Sequence, residues 1–140
     1  MPDTFAAFSA LVPPAVRAAP IGSVALYAVV PSEADGTRVL DELRSYIAGR
    51  GWHVPVGCAV ADVGVLGADR HRSGWRRVRR AVQAQAITGL VVPCFAHIGH
   101  RWADWNRERT WLLRRGLFVM ATDPTALPVG VSPEEVLAHE

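Results

Sequence analysis

The sequence predicts one α/β domain built on a four-stranded, mainly parallel sheet with flanking helices. Three observations carry that prediction. Short apolar runs alternate with stretches whose apolar residues recur at helical spacing, in the order strand, helix, strand, helix, strand, helix, strand. The runs are apolar throughout, as in strands buried on both faces, rather than alternating apolar with polar. The length of 140 residues, half of them hydrophobic and a fifth charged with a mean hydropathy of +0.15, supplies one real core and excludes a disordered chain.

The first strand is Val24–Val30, rich in β-branched residues and stopped by Pro31. Val39, Leu40, Leu43, Tyr46 and Ile47 then mark one face of a helix that Gly49 and Gly51 end. Residues 54–61 read as the second strand, with Cys58 inside it, and 62–72 as a polar, Gly-containing loop. Trp75, Val78 and Val82 form the inner face of a second helix whose other faces carry Arg76, Arg77, Arg79 and Arg80. Residues 90–95 are the third strand, weakened by Pro93 and containing Cys94. Trp105, Leu112 and Leu113 mark a third helix closed by Gly116, and 117–121 the fourth strand. Residues 133–139 predict a short last helix with Ser132 as N-cap and Pro133 at its first position. Residues 1–22 are an Ala/Pro-rich leader anchored by Phe5, Phe8, Leu11 and Val12, so the division is leader 1–22, domain 23–123 and tail 124–140. Sites on such sheets lie beyond the carboxyl ends of the strands, here 31–35, 62–72, 95–101 and 122 onward.

Composition narrows the function classes. No apolar run is long enough to span a bilayer, so no membrane partner is expected. Asp3 stands where a secretory signal carries basic residues, and Pro13 and Pro14 interrupt the stretch behind it, which predicts a cytoplasmic protein with Cys58 and Cys94 as reduced, buried thiols. All fifteen basic residues are arginine. A GC-rich genome explains that bias, but the guanidinium fork also suits phosphates and keeps nucleic acid in view. The densest basic stretch is Arg70, Arg72, Arg76, Arg77, Arg79 and Arg80, with His71 and Trp75 interleaved. Either it is a solvated helix face or it tracks phosphates. Arg114 and Arg115 close a helix, where cations complement the dipole.

The phrases at the strand ends resemble those of the serine recombinase (resolvase/invertase) N-terminal catalytic domain. Tyr27-Ala28-Val29-Val30-Pro31-Ser32 stands where that family opens with a strand ending on its serine nucleophile. Arg50-Gly51-Trp52 matches an "RGW" phrase, Asp62 and Arg72-Ser73-Gly74-Trp75 match the next loop, and Arg115-Gly116-Leu117-Phe118-Val119 echoes the fourth strand, so that the resemblance runs over about residues 23 to 122. It implies a resolvase-like α/β fold with a degenerate active site. The nucleophile position falls on Pro31 and the first arginine on Val29, while Ala96, His97 and His100 replace an aspartate and two arginines. Tyr27, Asp62 and Arg72 keep their identities, and Ser32 follows one residue late. The expected remnant positions are thus Tyr27, Ser32, Asp62, Arg72, His97 and His100, with no catalysis of the family type because the covalent intermediate needs the nucleophile.

The functional expectation is a non-catalytic module that associates with DNA or with a protein partner, including itself. Arg72, Arg76, Arg77, Arg79 and Arg80 are the expected nucleic-acid contacts. Two alternatives stand beside it: an assembly scaffold without DNA binding, and a residual enzyme with different chemistry around Asp62, Arg72, His97 and His100. No cofactor is expected. Cys94, His97, His100 and Asp104 have metal-like spacing but lack a second ligand pair, so no metal is expected either. The two histidines, if protonated, would bind anions more strongly below about pH 6.5. Trp52, Trp75, Trp105 and Trp111 read as packing residues, and Trp102 as a candidate interface residue.

Overall fold

The computed structural model describes residues 22–66 and 72–137. Strands β1 (Val24–Val30), β2 (Ala59–Val63), β3 (Gly89–Val92) and β4 (Phe118–Ala121) form one sheet in the order β2-β1-β3-β4, and every pairing is parallel. Helices α1 (Glu33–Ala48), α2 (Ser73–Gln83) and α3 (Trp102–Arg114) are the crossovers, and α4 (Pro133–Leu137) follows β4. A one-turn 3₁₀ helix, Phe95–His97, lies between β3 and α3.

The sheet's two faces bury different helices. Val24 and Leu26 of β1 and Val91 of β3 pack with Leu43 and Ile47 of α1. Ala25, Tyr27, Leu90 and Val92 point the other way, onto Trp75, Val78 and Val82 of α2 and Trp105 and Leu112 of α3. Successive strand side chains alternate between faces, so this split follows from the continuous apolar runs. Ser32 caps α1 by accepting from the Asp35 amide, with Glu33 and Asp35 complementing the dipole in its first turn. Gly89 lies against the Phe118 ring, where a Cβ would overlap it.

Several boundaries differ from the sequence expectation. The second strand is Ala59–Val63 rather than 54–61, so Asp62 belongs to the strand and Cys58 precedes it. The stretch before it holds Pro55 and a turn with Gly57 at φ +83°, which the apolar residues around it disguise. The third strand stops at Val92, because the chain turns at Pro93 and Phe95 begins the 3₁₀ turn; Cys94 is outside the strand and half-buried. Val131 and Val136 enter the core, and Val129 pairs with Arg101, which ties the segment after β4 to the start of α3. The leader up to residue 21, Arg70, His71 and the last three positions of the chain, including the end of the expected 133–139 helix, lie outside the described residues. No described helix is long and apolar enough to cross a membrane.

Candidate functional site

The strand order places a switch point between β1 and β3, whose connections leave toward opposite faces of the sheet. Their register is offset: β3 pairs with residues 24 to 26 of β1, and β1 continues to Val30 beyond it. The Val29 N–H therefore has no strand partner on that side. It donates instead to Nδ1 of His97 at 2.9 Å. With Nδ1 accepting, the neutral ring carries its proton on Nε2. Burial, helped by the Arg72 charge, pushes the His97 pKa down to about 4.

A cavity of about 590 Å³ opens at this point, lined among others by Asp62, Arg72, Trp75, His97, His100 and Arg107. Its floor is a hydrogen-bonded network. Asp62 accepts from the Tyr27 hydroxyl at 2.6 Å and from the backbone N–H of Gly74 and Trp75 at 2.7 and 3.1 Å. It therefore caps α2 from a neighbouring strand, where the helix's own N-cap residue, Arg72, makes no side-chain cap. The approach is close: a Cβ on Gly74 would sit 2.6 Å from Val60 Cγ1 and 2.9 Å from Asp62 Oδ1. Burial pushes the Tyr27 hydroxyl above its ordinary range, so it remains a donor.

Arg72 joins the network to the 3₁₀ turn. Its Nε donates to the Tyr27 hydroxyl at 3.1 Å, and its two terminal nitrogens donate to the carbonyls of Ile98 and His97 at 2.9 and 2.7 Å. The guanidinium also stacks on Trp75 at 4.8 Å and Tyr27 at 5.3 Å. Tyr27 and Trp75 themselves meet edge to face at 5.0 Å. Two buried ring nitrogens of residues on the cavity, Trp75 Nε1 and His100 Nδ1, have no hydrogen-bond partner among the described residues.

No protein-family model matches the chain, and neither does any curated protein. Solved structures do. The N-terminal catalytic domain of TP901-1 integrase is similar over 71% of this chain and 75% of its own, with a TM-score of 0.62 at 19% identity. The C-terminal catalytic domain of ISC1926 TnpA, an IS607-like serine recombinase, is similar over 83% and 75%, with a TM-score of 0.63 at 14% identity. The chain has the fold of a serine-recombinase catalytic domain.

Within that recombinase fold, the remnant positions do come together, but their polar atoms are occupied. Tyr27, Asp62 and Arg72 bond to one another and to backbone, and His97 holds the end of β1. Pro31 is exposed, and the Ser32 hydroxyl is engaged in the α1 cap, donating to Asp35 Oδ2 at 2.8 Å. The described lining residues include no serine, threonine, cysteine or lysine. Cys94, His97, His100 and Asp104 do not converge; among the described residues no group of three or more His, Cys, Asp and Glu is placed to hold a metal ion. For His97 the expected protonation near pH 6.5 is corrected, since burial and the Val29 amide favour its neutral form well below that pH.

The arginines divide differently from the sequence expectation. Arg72 faces inward, for the reasons above. On α2, Trp75, Val78 and Val82 face the core, which puts Arg76 and Arg79 on the flank toward α3, Arg80 outermost and Arg77 on the far flank. Arg79 reaches α3, stacking on Trp111 at 4.6 Å and lying 4.0 Å from the buried Glu108 carboxylate. Arg115 also stacks on Trp111, at 4.0 Å. Arg79, Arg107, Arg114 and Arg115 thus line one shallow cleft between the helices. Sequence reading assigned Arg114 and Arg115 only a dipole role, because nothing local to α3 reveals that Arg79 lies across from them.

Trp75 and Trp105 are buried, while Trp52 and Trp111 are half-buried at the sheet edge and in the arginine cleft. Trp102 is 43% exposed, yet its Nε1 donates to Glu135 of α4 at 2.8 Å, so it ties the last helix down.

Proposed function

We propose that this domain associates with duplex DNA through the arginine face of α2 and α3 and does not cut it. The observation that carries the reading is the cleft in which Arg79, Arg107, Arg114 and Arg115 gather around Trp111, with Arg76 and Arg80 beside it. Helix α2 has no acidic residue, and the one acid among the cleft's described lining residues, Glu108, is buried and within reach of Arg79 and Arg107. The opposite face of the sheet carries α1, with four acids against two arginines, so the small net charge of +2 hides a polar distribution. Such a surface attracts a phosphate backbone and releases its counterions. The absence of cutting rests on Pro31 at the resemblance's nucleophile position and on the lack of a serine, threonine or cysteine among the cavity's described lining residues.

The test is binding to a fluorescent 20-base-pair duplex across a salt series. If five or six arginines reach phosphates, log affinity falls against log salt with a slope of about −5, at roughly −0.9 per contact. The double variant Arg80→Gln, Arg114→Gln is expected to flatten that slope by about 2. A wild-type slope near zero, or an unchanged slope in the variant, refutes the reading. Incubation with supercoiled plasmid should yield neither nicked product nor a covalent protein–DNA adduct, and either product would overturn the non-cutting half.

A further inference from the structure

Among the described residues, β4 is an edge strand of the sheet. Phe118 and Thr122 donate to the Thr88 and Val92 carbonyls on the β3 side. In a parallel pair every second residue bonds to the neighbour, so 118, 120 and 122 face β3, and Val119 between the first two turns its N–H and C=O outward. No described strand pairs with that edge. The six residues from Gly116 to Ala121 carry no charge and no proline. Natural edges are normally blunted by such residues, and an unblunted edge is a template for another strand.

The walls of this edge are apolar as well. A groove of about 750 Å³ runs along it, with Tyr46, Trp52, Phe118 and Met120 on the α1 side and Trp105 and Leu113 on the other. Trp105, a residue 1% exposed, lines the groove, and its buried indole N–H has no hydrogen-bond partner among the described residues. The one charged residue among its described lining, Arg109, is stacked over that indole at 4.6 Å.

We propose that a second copy of this chain occupies the edge, β4 against β4, antiparallel and centred on Val119. Three features select a copy over another occupant. The strand is complementary to itself about that centre: Leu117 falls opposite Ala121, a large residue against a small one, and Phe118 falls opposite Met120, an aromatic against a thioether. The two Val119 residues exchange both backbone hydrogen bonds. The near absence of charge lets like meet like here without repulsion, which the arginine face would not allow. The third feature is symmetry. The two-fold axis of an antiparallel edge pair is perpendicular to the sheet, so both α2–α3 arginine faces emerge on the same side. A two-fold pair of basic faces matches the dyad of duplex DNA. This last feature rests on the proposed DNA reading; the first two do not.

Equilibrium sedimentation of the full chain without DNA is the test. A mass rising with concentration to twice the chain's 15.2 kDa is expected. Val119→Lys sets two like charges directly opposite and should weaken the dimer by at least about tenfold, while Val119→Thr should leave it intact. A wild-type monomer at about 100 µM, or a Val119→Lys dimer as tight as wild type, overturns the proposal. Should the lysine variant fail to fold, amide exchange in the wild type decides. Val119 protected only at high concentration supports the dimer, and concentration-independent exchange, fast or slow, overturns it. Because mass is read without DNA, failure of this pairing and failure of DNA binding are told apart.

Discussion

Replacing Arg72 by alanine separates a structural arginine from a ligand-binding one. The substitution removes three charge-assisted hydrogen bonds, at 3.1, 2.9 and 2.7 Å, and the stacking on Tyr27 and Trp75. Deleting one such bond costs about 1.5–3 kcal/mol, and His97, which carries one of the two carbonyls left behind, lines a cavity that water can enter. The expected total is therefore near the lower end, about 4 kcal/mol. For a domain of this size the unfolding entropy is about 0.3 kcal/mol per degree, so the melting midpoint should fall by about 10–15 °C. The assay is thermal and urea unfolding followed by circular dichroism. Arg72→Lys should recover less than half of the loss, because one ammonium cannot replace a fork that meets three acceptors. The salt slope of DNA binding at 20 °C should not change, since Arg72 faces inward. A midpoint within about 3 °C of wild type would refute the structural assignment, and a slope reduced by about 1 would return Arg72 to the DNA surface.

Other outcomes follow from the same geometry. The native His97 pKa of about 4 lies below its ordinary value of 6.5, so the unfolded chain binds that proton first; the stabilisation is complete above about pH 6.5 and is lost as pH falls toward 4. After allowance for water in the cavity this amounts to about 2 kcal/mol, and His97→Asn should lose that much less than wild type between pH 7 and 4 in urea unfolding; parallel losses would contradict it. Gly99→Ala would drive a Cβ into the backbone of α3 at Asp104 and Trp105 and should cost about 3 kcal/mol, whereas Gly49→Ala, with open space around it, should cost almost nothing; equal effects would show that α3 does not sit where described. Trp111→Ala removes the ring that holds Arg79 and Arg115, and should weaken DNA binding about three- to tenfold without changing the salt slope.

Much of the fold was legible because its signals are local. The run from Val24 to Val30 is apolar at every position, and the α1 and α2 faces repeat at helical spacing, so period alone located them. Boundaries failed where a local signal was ambiguous. The apolar residues around Pro55 and Gly57 resemble a strand, and Asp62 resembles a loop residue until its carboxylate is seen capping a helix from the neighbouring strand. The ordered phrases from Tyr27 to Val119 pointed to the recombinase fold, and Pro31 and Val29 were visible as departures from it without any structure.

By itself, then, the sequence determined the sheet, its helices, the residues at the strand ends and the wealth of arginine. Tertiary structure decided what those residues do. It turned Arg72 inward, left His97 neutral by offering it the Val29 amide, and brought Arg79 across to Trp111 and Arg115. It also placed β4 at the edge of the described sheet, which depends on strand order and not on the residues of β4. The physical reason is range. Strand and helix periods act over a few residues, whereas a guanidinium's role is fixed by acceptors that lie 25 to 45 residues away along the chain.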